Sequence, residues 1–355
     1  MDIIYNGQAQ GGVASQLLAS GFNVNGLRPY IDIVDGRPVH CITVVENGKP
    51  TQKVLSNATA TLRKDQWKHL DTAVVKVAKE RLRTVQDLLG AGLTYNIPNG
   101  MGTTVLETET QSDITEADIS MDGVRQSRAD RPVYELKNLP LPIIHKDFHF
   151  SARQIATAQR SGSPLDTTTA ELASRRVAES AEKLLLGTFG TYSFGGGNIY
   201  GYTNFPQRIT KSITAPTAQG WTPATAVKEV LDMRLRAQLK HHYGPYMLYC
   251  SLPWDTYLDD DYSAAKGDNT LRDRLNAIEG IQGVRTVDFL SQTAFQLILV
   301  QMTSDVVREV IGLNFTTVQW ESQGGLQINF KVMAIMTPQL RADQNGNTGI
   351  VHGSV

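Results

Sequence analysis

Three side chains at two-residue spacing, His145, Asp147 and His149, are the sharpest chemical suggestion in the chain. The alternation across 143–150 predicts a strand, so these three share one face with Ile143 while Ile144, Lys146, Phe148 and Phe150 share the other. Two imidazoles and a carboxylate are the donor set of a facial metal site, and so of a metal-dependent hydrolase. No second motif supplies a further ligand or a general base. A polar row turned toward solvent or an interface explains the same spacing with fewer requirements.

Other chemistries fare worse. Asp259, Asp260, Asp261 and Asp268 invite a calcium loop, but an EF-hand needs Gly at its sixth position and Glu at its twelfth, where this chain has Ala264 and Thr270. A solvated acidic loop fits better. His241 and His242 are adjacent, so on a helix they point about 100° apart and share an ion poorly. The glycine run in SFGGGNIYGYTN lacks the GK[ST] ending of a phosphate loop, and no GxSxG elbow occurs. Trp67, Trp221, Trp254 and Trp320 have no interleaved basic runs and read as packing anchors. No catalytic, metal or cofactor-binding residue is assigned.

The elements that position these residues follow from periodicity. Residues 1–27 are rich in Gly, Ala, Ser and Asn without a clear period, an arm with little core of its own. Strands flank DGRP and ENGKP between Pro29 and Leu55. Asp65 can cap a helix whose seam, Trp67, Leu70, Val74, Val77, Leu82, Val85 and Leu89, runs to Gly90. Residues 94–142 form a long polar hairpin with few large apolar side chains near its tip, which cannot hold itself together in water and needs a partner surface. After the strand at 143–150, Ser151 caps a short helix. Asp166 caps a second one reaching Leu186, with Leu172, Ala173, Val177, Ala181, Leu184 and Leu185 in its stripe and Gly187 as stop. Helices follow at 222–239 and 271–278, strands at 246–251, 284–290 and 295–302, a Ser304-capped helix to Val310, and a hairpin around Gly324-Gly325. The tail after Pro338 is polar.

Composition sets outer limits. The 355 residues carry 34 basic and 35 acidic side chains, a net charge of −1. That argues against a dedicated DNA binder, though not against a protein that encloses DNA without gripping it. Cys41 and Cys250 make no disulfide framework and suit a reduced interior. MDIIYNGQAQ has no secretory pattern, and no apolar run is long enough for a membrane helix.

Several long segments carry a family resemblance: RPYID, LRKDQWKHLD, LPLPIIHKDF, PLDTT, AELASRRVAESAEKLLLG, YLDDDYS and TTVQWESQGGLQINFKV. Together, from about Leu27 to Ile350, the chain resembles the tailed-bacteriophage major capsid proteins, in their encapsulin-like branch. The resemblance implies an α+β shell fold divided into an N-terminal arm with short strands (1–64), an amphipathic helix (65–93), an E-loop hairpin (94–142), a P-domain with a long spine helix (143–220), an A-domain (221–313) and a return hairpin with the C-terminal tail (314–355). It implies no enzyme but a protein self-assembling as hexamers and pentamers into an icosahedral head around double-stranded DNA. Portal and scaffold or decoration proteins would be partners, and the virion capsid, assembled in the bacterial cytoplasm, the location. The alternative is an encapsulin nanocompartment, but encapsulins begin close to the amphipathic helix, whereas here some 64 residues precede it. The short arm also leaves no room for a large scaffolding domain. Expected intersubunit contacts are Met121, Asp122, Val124, Arg125, Arg128, Asp130, Arg131, Val133 and Tyr134 in the E-loop, and Leu27, Arg28, Pro29 and Tyr30 in the arm.

Overall fold

The computed structural model describes residues 4–5, 8–9, 28–34, 36–46, 49–55, 62–111, 119, 121, 131, 133–161, 167–262 and 269–355. It divides into two compact units. The first comprises Met1–Thr104, Leu141–Gly190 and Arg308–Gln339, and the second Val105–Pro140, Thr191–Val307 and Leu340–Val355.

In the first unit a short ladder, Ile4–Tyr5 (β1) with Gln8–Ala9 (β2), precedes an antiparallel sheet of Tyr30–Val34 (β3), Arg37–Glu46 (β4) and Lys49–Val54 (β5). Helix α1 (Lys64–Arg81) has Arg63, not Asp65, as its N-cap, and the single helix expected to run to Gly90 is interrupted after Arg81. The chain turns at Leu82-Arg83 and restarts as α2 (Thr84–Gly90), because the first free N–H of α2, that of Thr84, donates to the Glu182 carboxylate at 2.6 Å. Sheet pairing follows the order β6-β16-β17-β9, from Thr94–Asn96 (β6), Val307–Ser322 (β16), Gln327–Leu340 (β17) and Ile144–Ser151 (β9). The helix expected from Ser304 to Val310 is therefore strand from Val307. Val307 and Val310 are β-branched and buried, and β6 is there to pair with.

Ser151 caps α3 (Ala152–Ser161) as expected: its Oγ accepts the Gln154 N–H at 3.2 Å while Gln154 Oε1 accepts the Ser151 N–H at 2.9 Å. The spine helix α4 (Thr168–Leu186) stops at Gly187, whose φ of +83° is left-handed and suits a residue without Cβ. Asp166, its expected cap, lies outside the described residues. The stripe holds except at Leu172, which is exposed, and the expected polar side chains Glu179 and Glu182 are buried. Ser174 Oγ donates to the Val74 carbonyl at 2.7 Å, tying α4 to α1. Between the helices and the sheet, Trp67, Phe148, Phe150 and Phe330 form an aromatic cluster with ring centroids 5.3–6.0 Å apart.

The second unit is built on a five-stranded sheet of order β12-β18-β15-β13-β14: Ile209–Ser212 (β12), Ile350–Ser354 (β18), Gln296–Gln301 (β15), Tyr246–Ser251 (β13) and Ile281–Val287 (β14). The C-terminal tail, expected as a polar extension of the other unit, supplies an interior strand here. β18 pairs in parallel with β12 and antiparallel with β15. Helices α5 (Pro223–Gln238, preceded by Thr222), α6 (Asp255–Leu258) and α7 (Leu271–Asn276) cover one face through Val230, Met233, Leu258, Leu271 and Leu275. The remaining pieces are the ladder of Tyr192–Phe194 (β10) and Gly197–Ile199 (β11), and the hairpin of Val105–Gln111 (β7) and Tyr134–Pro140 (β8).

Candidate functional site

Two features stand out, a projecting hairpin in the second unit and an open groove in the first. Register sorts the hairpin's side chains into two faces. Tyr134 lies opposite Gln111, Leu136 opposite Glu109 and Asn138 opposite Glu107, while Leu106, Thr108 and Thr110 turn the other way. The first face is open to solvent along its length, with Tyr134 59% and Leu136 55% exposed. Only the root is held. Asn138 Nδ2 donates to the Gly195 carbonyl at 3.1 Å, and β11 approaches so closely that a methyl at Gly197 would lie 2.2 Å from the Asn138 carbonyl oxygen. A ribbon fixed at its base thus leaves two large apolar side chains and two carboxylates uncovered among the described residues.

The groove, of about 540 Å³, opens on the sheet face of the first unit that is turned away from the aromatic cluster. Met101, Ile143, Val318, Trp320 and Met333 line it, with Lys331 and His145 at the rim. Lys331 Nζ sits 5.5 Å from the Trp320 ring centre and 3.6 Å from Asp147 Oδ1. His145 Nδ1 lies 3.6 Å from the same oxygen. The row His145, Asp147 and His149 does share one exposed face of β9, alongside Met333, Lys331 and Asn329 of β17. Lysine is the third side chain at Asp147, and among the described residues no three His, Cys, Asp or Glu groups are placed to hold a metal ion.

Of the expected hairpin contacts, Met121, Arg131, Val133 and Tyr134 are exposed, whereas Asp122, Val124, Arg125, Arg128 and Asp130 lie outside the described residues. The expected arm contacts that are described lie against their own chain. Arg28 and Tyr30 are buried in their own subunit, Pro29 is half-buried, and Leu27 is not described. Arg28 bonds both Asp71 oxygens at 2.7 and 2.6 Å, donates to the Thr317 carbonyl at 3.0 Å and stacks 4.4 Å over Trp67. Both terminal nitrogens of the guanidinium are thus engaged inside the chain, while its buried Nε has no partner among the described residues. The acidic loop is also partly neutralised internally: Arg272 pairs with Asp255 and Asp259, each at 2.9 Å.

Sequence reading missed the groove. Its signal, the alternation of Val318 with Trp320 and of Lys331 with Met333, was visible, but strand periodicity does not say which face stays open. It also missed a buried pair of acids in the first unit. Burial pushes the Glu182 carboxyl up to about 7, against the hydrogen bonds it accepts from Thr84, Val85 and Arg83. Burial and then the nearby Glu182 push Glu309 well above the usual carboxylate range.

A four-stranded sheet backed by a long spine helix, a second sheet-and-helix unit and a projecting hairpin define the fold shared by tailed-phage capsid proteins and encapsulin-like shells. The structure is similar to the virus-like particle from Pyrococcus furiosus (TM-score 0.55, 14% identity, 81% of this chain and 98% of that one). It is also similar to the capsid of Myoviridae phage XM1 (TM-score 0.56, 10% identity, 75% and 90%). Among curated proteins, the type 1 encapsulin shell protein EncA of Myxococcus xanthus is 24% identical over 199 residues, a stretch spanning 56% of this chain and 63% of that relative. Residues 57–353 match a family described as of unknown function, DUF6260, and the chain belongs to that family.

Proposed function

We propose that the chain is a major capsid protein, assembling in many copies as hexamers and pentamers into the icosahedral head of a tailed bacteriophage around double-stranded DNA. The observation that carries the reading is the β7–β8 hairpin, pinned at its root and carrying two large apolar side chains on a face left uncovered among the described residues. In this reading it is the E-loop, the first unit is the P-domain with α4 as spine, and the second unit is the A-domain. Each contact can be modest, because a subunit joined to several neighbours at once is held far more tightly than any one pair. A near-zero net charge suits a container that does not grip its contents. Assembly would take place in the host cytoplasm with portal and scaffold or decoration proteins, and no helix among the described residues is long and apolar enough to cross a membrane.

A second reading, an encapsulin-type compartment, is favoured by the match to EncA and by the similarity to the Pyrococcus particle. Against it stands the β3-β4-β5 sheet ahead of α1, which the resemblance to encapsulins does not lead one to expect. Electron microscopy of purified particles with nucleic acid extraction separates the two. DNA-filled heads support the capsid, and protein-filled particles without DNA reverse the order. A subunit that stays monomeric in size-exclusion chromatography with light scattering defeats both.

A further inference from the structure

We infer that the exposed face of α1 is the surface through which the subunit meets the phosphate backbone of double-stranded DNA. The inference rests on the reading of an enclosed genome and names the contact. Its starting point is an uneven charge. Within a chain of net charge −1, the first unit holds 19 basic and 15 acidic side chains, whereas the second holds 15 and 20. Residues 63–83 account for the whole excess of the first unit, with seven Lys or Arg against three Asp or Glu.

Folding gathers that charge on one side. Trp67, Leu70, Val74 and Ala78 face inward, and the bond from Ser174 to the Val74 carbonyl ties the same side of α1 to the spine helix. Lys68, Thr72, Lys76 and Lys79 are exposed, and at about 100° per residue they share a stripe about 80° wide and about 16 Å long. Two of the three acids are already engaged: Asp71 is buried on Arg28 at 2.6 Å, and Asp65 lies 3.3 Å from Arg63. Lys68, Lys76 and Lys79 meet no carboxylate at ion-pair distance among the described residues, and only Glu80 borders the stripe. The partner follows from what this face lacks. No large apolar side chain is exposed on α1, so there is no anchor of the kind that holds a protein partner. Lysines are compact point charges that meet phosphates without reading a sequence. Three such contacts per subunit are weak singly and fade as salt rises, so a shell built this way holds DNA without gripping it.

The test follows binding of the full-length chain to short double-stranded DNA of random sequence, by fluorescence anisotropy across a salt series. Lys68→Gln, Lys76→Gln and Lys79→Gln together should weaken binding at low salt at least tenfold. They should also make the slope of log K against log salt shallower by about 2.7, since each phosphate contact adds about 0.9. The exposed triplet Lys228→Gln, Lys240→Gln and Arg274→Gln in the second unit should change binding little. Equal losses from the two triplets, or no binding by the wild-type chain, overturn the inference. So does a polyglutamate peptide that binds more tightly than DNA of equal charge, which gives the stripe to an acidic protein. Lysine acetylation read by mass spectrometry locates the contact in particles. Lys68, Lys76 and Lys79 should be protected in DNA-filled heads and react once the heads are opened and emptied. DNA-filled heads in which the three react equally before and after emptying sink the stripe and leave the shell reading standing. Binding that depends on the three lysines, in a chain that forms no particles, keeps the stripe and sinks the shell.

Discussion

Two antiparallel hairpins of the molecule, β16–β17 and β7–β8, have opposite fates. In β16–β17 the strands are 16 and 14 residues long, most side chains are buried, and Phe330 is stacked on Phe148 at 5.3 Å beneath the spine helix. The seven-residue strands of β7–β8 have the same backbone pairing, yet Tyr134, Glu135, Leu136 and Lys137 are all exposed. Backbone hydrogen bonds are equivalent in both, so they do not account for the difference; the apolar surface that a hairpin can cover within its own unit does. A hairpin that lacks such cover is marginal alone and becomes useful when another surface completes it.

Breaking the covered hairpin should cost the most. Phe330→Ala removes the centre of the aromatic cluster, and a loss of about 3–5 kcal/mol in subunit stability is expected by urea unfolding. A loss below about 1 kcal/mol would mean that this hairpin is no better anchored than the other. Arg28→Ala should come close to it. It strands the buried Asp71 carboxylate, a change of the kind that costs about 3–5 kcal/mol, whereas an intersubunit role for Arg28 would leave the isolated subunit unchanged and impair only assembly.

Next in size is a dependence on pH, rooted where β16 begins. Glu182 holds its proton more tightly folded than unfolded, so its contribution is fully present below about pH 4.5 and is lost as pH rises through about 7, and burial shifts Glu309 in the same direction. Stability of the isolated subunit should fall over that window by on the order of 1–3 kcal/mol, and Glu182→Gln should flatten the profile. An unchanged profile would show that these carboxyls do not titrate there.

The smallest folding effect is expected in the uncovered hairpin. Leu136→Ser should move subunit stability by no more than about 0.5 kcal/mol, as for exposed positions, while sharply reducing particle formation seen by light scattering. If instead the subunit itself unfolds, the hairpin is covered by its own chain and the contrast between the two hairpins fails.

Much of this was legible in advance, and the misses share a cause. The Ser151 cap, the Gly187 stop and the alternation in β9 were read correctly because each is decided by neighbours within a turn or two. The helix expected at 304–310 failed because the pairing of β16 with β6, more than two hundred residues away in sequence, outweighed a local cap. Of the groove, only His145, with Ile143 on the same face, was picked out, and for metal chemistry. Its other walls come from distant segments that no local pattern links.

By itself, then, the sequence settled most of the strands and helices and their apolar faces, though not the strands at 307–310 and 350–354, and that one ribbon carries too little apolar surface to stand alone. Only the tertiary structure decided that Ile350–Ser354 is inserted between β12 and β15, that Arg28 turns inward onto Asp71, that two glutamates are buried near each other, and which sheet face stays open. The physical reason is range. Periodicity and capping report free energies set within a few residues, whereas burial and pairing depend on which distant segment arrives to exclude water.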